Sequence, residues 1–273
     1  MDDIIKMLKQ YSFWDRNLFQ QLDQLAHIFN ETIIAVEKDS NVKIKFRIIS
    51  SDDAFVQRTN SDFIICIGSE WFKMFNDRVF MKDTDNILKF LEEFSKVLSV
   101  NNNKYFYLIT IYFTCLYYIL SHELSHIGRG HFSSFDQIKQ KEDEADKCSG
   151  FMLFNMHNYI KEVSSTTYGM NRDIAGAFAA NLILVSCMYG LYAMKQEKGE
   201  SNPAMYSPVA ERCFNSLEQL VGEIVKMYPS TEVAYKNLII FVNRFAFIFK
   251  YADLREIMFK SVGLDAKDYP LSD

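Results

Sequence analysis

Prolines and glycines are scarce in this chain, 4 and 10 of its 273 residues. Proline breaks helix interiors and glycine weakens them. Their scarcity argues against a turn-rich all-β fold and for long helices. Paired cysteines are lacking too. Cys66, Cys115, Cys148, Cys187 and Cys213 are scattered, odd in number and never spaced as CxxC, which argues against a disulfide framework and against a cysteine zinc site. They read as small buried hydrophobes of a protein kept in a reducing compartment. An excess of positive charge is also missing. With a net charge of −5 there is no electrostatic reason to expect nucleic acid as a partner. The start, Met1-Asp2-Asp3, is acidic and no apolar signal segment follows it, so a cytoplasmic location is expected.

What is present is apolar material: 49% of the residues are hydrophobic, enough for a sizeable core. From residue 2 to about 37, Phe19, Leu22, Leu25, Ala26, Phe29 and Ile33 fall at steps of three and four, which predicts a helix. Val42, Ile44, Phe46 and Ile48 then alternate with Lys43, Lys45 and Arg47, as in a half-buried strand. A second strand spans Asp62 to Ile67, closed by Gly68, and a small antiparallel sheet is expected between about 42 and 70. Helices are expected at about 84–100, 134–163, 172–195, 208–228 and 231–260. The stretch Gly199 to Pro208 reads as a loop. The expected fold class is mainly α with a small antiparallel β-sheet, an α+β protein. No domain boundary is visible, so one domain is expected over 1–273. Within it an N-terminal helical segment (about 1–40) precedes a sheet with central helices (42–165) and a helical C-terminal part (170–273).

Residues 105–120 are almost wholly apolar. At about 16 residues the run falls short of the roughly 20 needed to cross a bilayer, and it leads directly into ionisable residues. A buried core helix, not a membrane span, is expected.

That helix runs into Ser121-His122-Glu123-Leu124-Ser125-His126, and Gly128 and Gly130 end it. His122 and His126, four apart, place two imidazoles on one helix face, within reach of one ion. Glu123 stands beside that ion, where it can take a proton from an activated water. Zinc lowers the pKa of such a water toward about 7. The resulting hydroxide attacks a carbonyl, which is the chemistry of peptide hydrolysis. A catalytic zinc needs a third protein ligand and an open position. His131 is out of phase with the metzincin pattern, since Arg129 and Phe132 stand where that pattern has glycine and histidine. The acidic run Glu142-Asp143-Glu144-Ala145-Asp146 offers Glu142, with Glu144 as the fallback. Glu142 and Asp146 share a helix face, so one can bind metal while the other fixes a ligand histidine. His157 is further away and reads as structural, as does His27.

HELSHIGRGH followed by EDEADKCSG resembles the gluzincin metallopeptidases of the CAAX prenyl protease and HtpX-like family. The likeness is tight over 122–150 and loose over 60–215. It implies a zincin-like fold with an HExxH active-site helix, and one Zn2+ per chain held by His122, His126 and Glu142. Glu123 would be the base and Asp146 the orienting carboxylate. Tyr206-Ser207-Pro208-Val209-Ala210-Glu211-Arg212 is similar to a later family segment, but Tyr206 stands near the place of the family's histidine. The resemblance implies that Tyr206 stabilises the oxyanion and that Arg212 orients the loop or binds substrate. It also implies that Asp62–Ile67 is an edge strand pairing with an extended substrate. The ImmA/IrrE-type and the Lit-type phage-exclusion proteases show a similar motif. The expected function is a zinc-dependent endopeptidase acting on a protein or peptide substrate. The alternatives are a non-catalytic binding protein on the same fold and a metallohydrolase of a non-peptide amide or ester.

Overall fold

The computed structural model describes residues 16–60, 62–94, 100–133, 136–167, 169–199, 202–226, 231–261, 265 and 267. The first part of the expected N-terminal helix, residues 2–15, lies outside them. Helix α1 covers Arg16–Ser40, followed by strands β1 (Lys43–Ile49), β2 (Ala54–Arg58) and β3 (Asp62–Gly68). Helices α2 (Ser69–Asp77) and α3 (Thr84–Phe94) flank a π-helical turn at Arg78–Lys82. The long α4 (Val100–Gly128) is followed by α5 (Ile138–Leu153), α6 (Met156–Thr166) and α7 (Arg172–Lys198). Then come α8 (Val209–Lys226), α9 (Thr231–Ile248) and α10 (Ala252–Ser261). The protein is mainly helical with a small sheet, an α+β fold.

The sheet is mixed, in the order β1-β3-β2. β1 runs parallel to β3, and β2 antiparallel to it. The expected all-antiparallel sheet is corrected by β2, whose short sequence AFVQR carries little alternation. β2 forms a hairpin with β3 and takes the antiparallel place, and β1 lies on the other side of β3, parallel to it. The chain from β1 to β2 crosses the end of β3 at Gly68, where the Gly68 N–H donates to the Asp53 carbonyl (2.7 Å). A Cβ at Gly68 would lie 2.1 Å from the Ser51 carbonyl oxygen, so the crossing requires glycine.

Helix α4 is the centre of the molecule. From Phe106 to Ser125 every side chain is buried, as expected of a helix that is apolar on all sides. It packs against α1, α5, α7 and the sheet. The core extends from Phe29 on α1 to Met258 on α10. Among the described residues α7 is long and apolar enough to cross a membrane, but 83% of its apolar window is buried inside the protein. Asn171 caps α7 by accepting from the Asp173 N–H (2.9 Å), and Lys195 and Lys198 sit in its last turn, where cations favour the helix dipole.

Two expected helices are each broken in two. The segment 134–163 divides at Phe154-Asn155, between α5 and α6, and 231–260 divides between α9 and α10, where Lys250 adopts a left-handed conformation (φ 54°). Helix α5 meets α4 on one side and α8 on the other. The close approach to α8 is set by Gly150, where a Cβ would lie 2.0 Å from the Ser216 carbonyl oxygen. This packing brings the acidic run of α5 against the histidines of α4.

Candidate metal centre

The last turns of α4 place His122 and His126 one above the other, with their Nε2 atoms 3.2 Å apart. Glu142, from the second turn of α5, reaches both. Its Oε2 lies 2.9 Å from His122 Nε2 and its Oε1 3.5 Å from His126 Nε2. Ligand atoms about 2.0–2.2 Å from one ion at tetrahedral angles stand about 3.3–3.6 Å apart. The imidazole pair at 3.2 Å, and the two Glu142 oxygens at 2.9 and 3.5 Å from one imidazole each, fall close to that spacing. The chemistry of the set, two neutral-capable imidazoles and one carboxylate, suits a borderline ion such as zinc. His122, His126 and Glu142 can therefore hold a metal ion.

Asp146, one turn beyond Glu142, is fully buried. His122 donates from Nδ1 to Asp146 Oδ1 (3.0 Å), and Tyr118 donates its hydroxyl to the same oxygen (2.8 Å). Arg212, in the first turn of α8, donates from Nε to Oδ2 (2.8 Å) and from Nη2 to Oδ1 (3.0 Å). Ser216 is one turn further along α8. It donates to the Asp146 backbone carbonyl (3.0 Å), and its hydroxyl lies 3.0 Å from that of Tyr118. A buried carboxylate is costly unless paired and hydrogen-bonded, and here it is both.

Burial works against charge on His122, but its bonds to Asp146 and Glu142 outweigh that and raise it to about 10. Burial likewise opposes ionised Glu142, but the two histidines outweigh it and lower its carboxyl to about 2. Asp146 is lowered as well, because the Arg212 charge and the His122 bond outweigh its burial. Glu123 goes the other way: burial dominates and raises its carboxyl above the ordinary glutamate range.

His131 stands in a 3₁₀ turn, His131–Ser133, after Gly130 (φ 67°) reverses the chain. Its Nδ1 lies 2.9 Å from Nδ1 of His126, on the side away from His122 and Glu142. Its Nε2 lies 3.2 Å from Glu144 Oε2. Burial and the neighbouring His126 hold His131 below the ordinary imidazole range. Glu144, the fallback to Glu142, is thus directed at His131 and not at the His122–His126 pair. His157 donates from Nε2 to the Gly176 carbonyl (3.0 Å), joining α6 to α7. His27 is exposed, 3.9 Å from Glu31.

A cleft of about 260 Å³ opens beside the triangle, with His122, Glu123, Tyr206 and Arg212 on one side and Asp53 and Ala54 on the other. Tyr206 lies under the Arg212 guanidinium, 5.1 Å from it, and burial followed by the Glu142 carboxylate raises its phenol above the ordinary range. At the rim Lys198 covers the Trp71 ring at 3.8 Å and pairs with Asp52 at 3.3 Å. The structure thus gathers His122, Glu123, His126, Glu142, Asp146, Tyr206 and Arg212 in one place. Arg212 spends its donors on Asp146. The expectation of an edge strand at Asp62–Ile67 is corrected: β3 is hydrogen-bonded on both sides, by β1 and β2. The strand that begins at the cleft is β2. Sequence reading also passed over Tyr118, Ser216 and the His131–Glu144 pair, of which only the histidine after a glycine gave any local signal.

Comparison with known families gives the class of protein that carries this helix pair, ligand set and flanking cleft, a peptidase. The model of the family Peptidase U49 matches residues 90–227, from within α3 past the end of α8. This is just over half of the chain, and the protein belongs to the peptidase U49 family. The matched segment contains every residue of the site from His122 to Arg212. No curated protein and no solved structure matches the chain.

Proposed function

We propose that the protein is a zinc-dependent endopeptidase, with His122, His126 and Glu142 as the metal ligands and Glu123 as the general base. The observation that carries this reading is the convergence of His122 Nε2 and His126 Nε2, 3.2 Å apart, on the Glu142 carboxylate, whose Oε2 lies 2.9 Å from the first and whose Oε1 lies 3.5 Å from the second, inside a chain of a peptidase family. When bound there, zinc polarises the scissile carbonyl and acidifies the attacking water. Glu123, buried beside the cleft, takes the proton of that water and delivers it to the leaving amine. Its raised carboxyl suits both steps. Asp146 fixes the Nδ1–H tautomer of His122, so that Nε2 faces the ligand triangle. Arg212 and Tyr118 hold Asp146, so Arg212 is a positioning residue. Tyr206, kept protonated by its raised pKa, donates a hydrogen bond to the carbonyl oxygen as negative charge develops on it. An extended substrate segment lies along β2, adding a strand to the sheet.

Elemental analysis of purified protein tests the ligand set. About one zinc per chain is expected in wild type, with loss in His126→Ala and Glu142→Ala. A wild type that takes up no zinc when supplied with it sinks this reading. Glu123→Gln should keep the metal and lose cleavage of a library of extended peptides by 10²-fold or more, on the order of what a general base contributes. Undiminished cleavage would remove Glu123 from the mechanism.

A further inference from the structure

We propose that His131 and Glu144 form a positioning relay for His126, in which His126 donates from Nδ1 to His131 and His131 donates from Nε2 to Glu144. The inference rests on the zinc reading above and adds two residues to it. Its basis is the count of protons along a line of four ring nitrogens. The Nε2 of His126 faces His122 Nε2 at 3.2 Å and Glu142 at 3.5 Å. To offer that nitrogen to a metal, His126 carries its proton on Nδ1. Nδ1 is 2.9 Å from Nδ1 of His131, so His131 must accept there with a lone pair. A neutral His131 then carries its own proton on Nε2, which points at Glu144 Oε2 at 3.2 Å. Each proton has one acceptor and no donor faces another donor. Glu144 is held in turn by Gln140, which donates to Oε1 at 3.1 Å.

The turn that carries His131 is built to hold it. Gly130 reverses the chain after α4. Phe132, the next residue, packs on Phe63 of β3 with ring centroids 5.0 Å apart, which ties the turn to the sheet. The His131 side chain is 7% exposed and Glu144 46%. The relay thus starts at a half-buried ligand and ends at the surface.

Zinc affinity, measured by competition with a chromogenic chelator, separates the variants. Replacing a residue that orients a ligand histidine typically weakens metal binding by about 10- to 100-fold. His131→Leu removes the acceptor and should fall in that range. His131→Asn places an amide oxygen near the position of Nδ1 and should stay within about 3-fold of wild type. Equal loss in both variants, or none in His131→Leu, overturns the relay. A second readout needs no variant: long-range ¹H–¹⁵N spectra of the zinc-loaded protein, which has five histidines. They should show His126 protonated at Nδ1 and His131 neutral and protonated at Nε2. An Nδ1–H or doubly protonated His131 at pH 7 overturns the proposal. A wild type that binds no zinc would overturn the metal reading and the relay together. Zinc bound equally well by wild type and His131→Leu would overturn the relay alone.

Discussion

The two histidines of α4 are held by opposite means. His122 leans on Asp146, a carboxylate with no exposed surface, which requires Arg212, Tyr118 and Ser216 to sustain its charge. His126 leans on His131, which leads to Glu144 at the surface, where water does the work that Arg212 does inside. The first flank is a closed network: removing one member strands a charge away from solvent. The second has an open end. A histidine can thus be oriented by a costly buried ion pair or by a neutral relay that ends in water, and this site uses one of each.

Breaking the closed flank should have the largest effect. Arg212→Ala leaves the buried Asp146 without its arginine, with only His122 and Tyr118 beside it, and loss of about 3–5 kcal/mol is expected in urea unfolding. A loss below about 1 kcal/mol would mean that the two flanks do not differ as described. Acidity and alkalinity probe the same network more gently in metal-free protein. Glu142 titrates at about 2 in the folded chain against an ordinary 4.5. Its contribution is therefore full above 4.5 and is lost as pH falls through about 2. His122 titrates at about 10 against an ordinary 6.5. Its contribution is full below 6.5 and is lost as pH rises through about 10. The cluster should therefore favour the fold most between about 4.5 and 6.5, seen as a maximum in urea midpoint against pH. A midpoint that climbs from pH 7 to 9 would contradict this. The smallest effect belongs to the open flank. Glu144→Gln keeps an oxygen acceptor for His131 in a half-exposed position and should change stability by less than about 0.5 kcal/mol. A larger loss would place Glu144 among the members of a closed network.

Local sequence made much of the site legible. Four-residue spacing put His122 with His126 and Glu142 with Asp146, because both pairs lie on uninterrupted helices where period and face are linked. Tyr118 was not legible. In a run of apolar and aromatic residues nothing marks one tyrosine as the partner of a carboxylate 28 positions later. Ser216 depends likewise on how α8 lies over α5, which Gly150 permits. His131 stands near the spacing of a metal ligand in sequence, but the turn after Gly130 presents it to the outer nitrogen of His126. The fold was legible as helices around a small sheet. Its direction was not, because β2 is five residues long, mostly exposed and without clear alternation. The breaks at Phe154-Asn155 and Lys250 occur without proline or glycine and follow from packing, not from local preference.

The end of α4 continues the core without a hinge. From Phe106 onward its turns lie among the most buried side chains of the protein, and its last turns carry His122, Glu123 and His126. Cooperative opening proceeds in units that are poor in buried contacts, and this helix offers no such unit. The reactive groups cannot melt away while the rest stays folded. Control over the enzyme therefore has no purchase on the site itself. It falls to the entrance, where residues 202–205 and the Lys198–Asp52 pair stand in solvent.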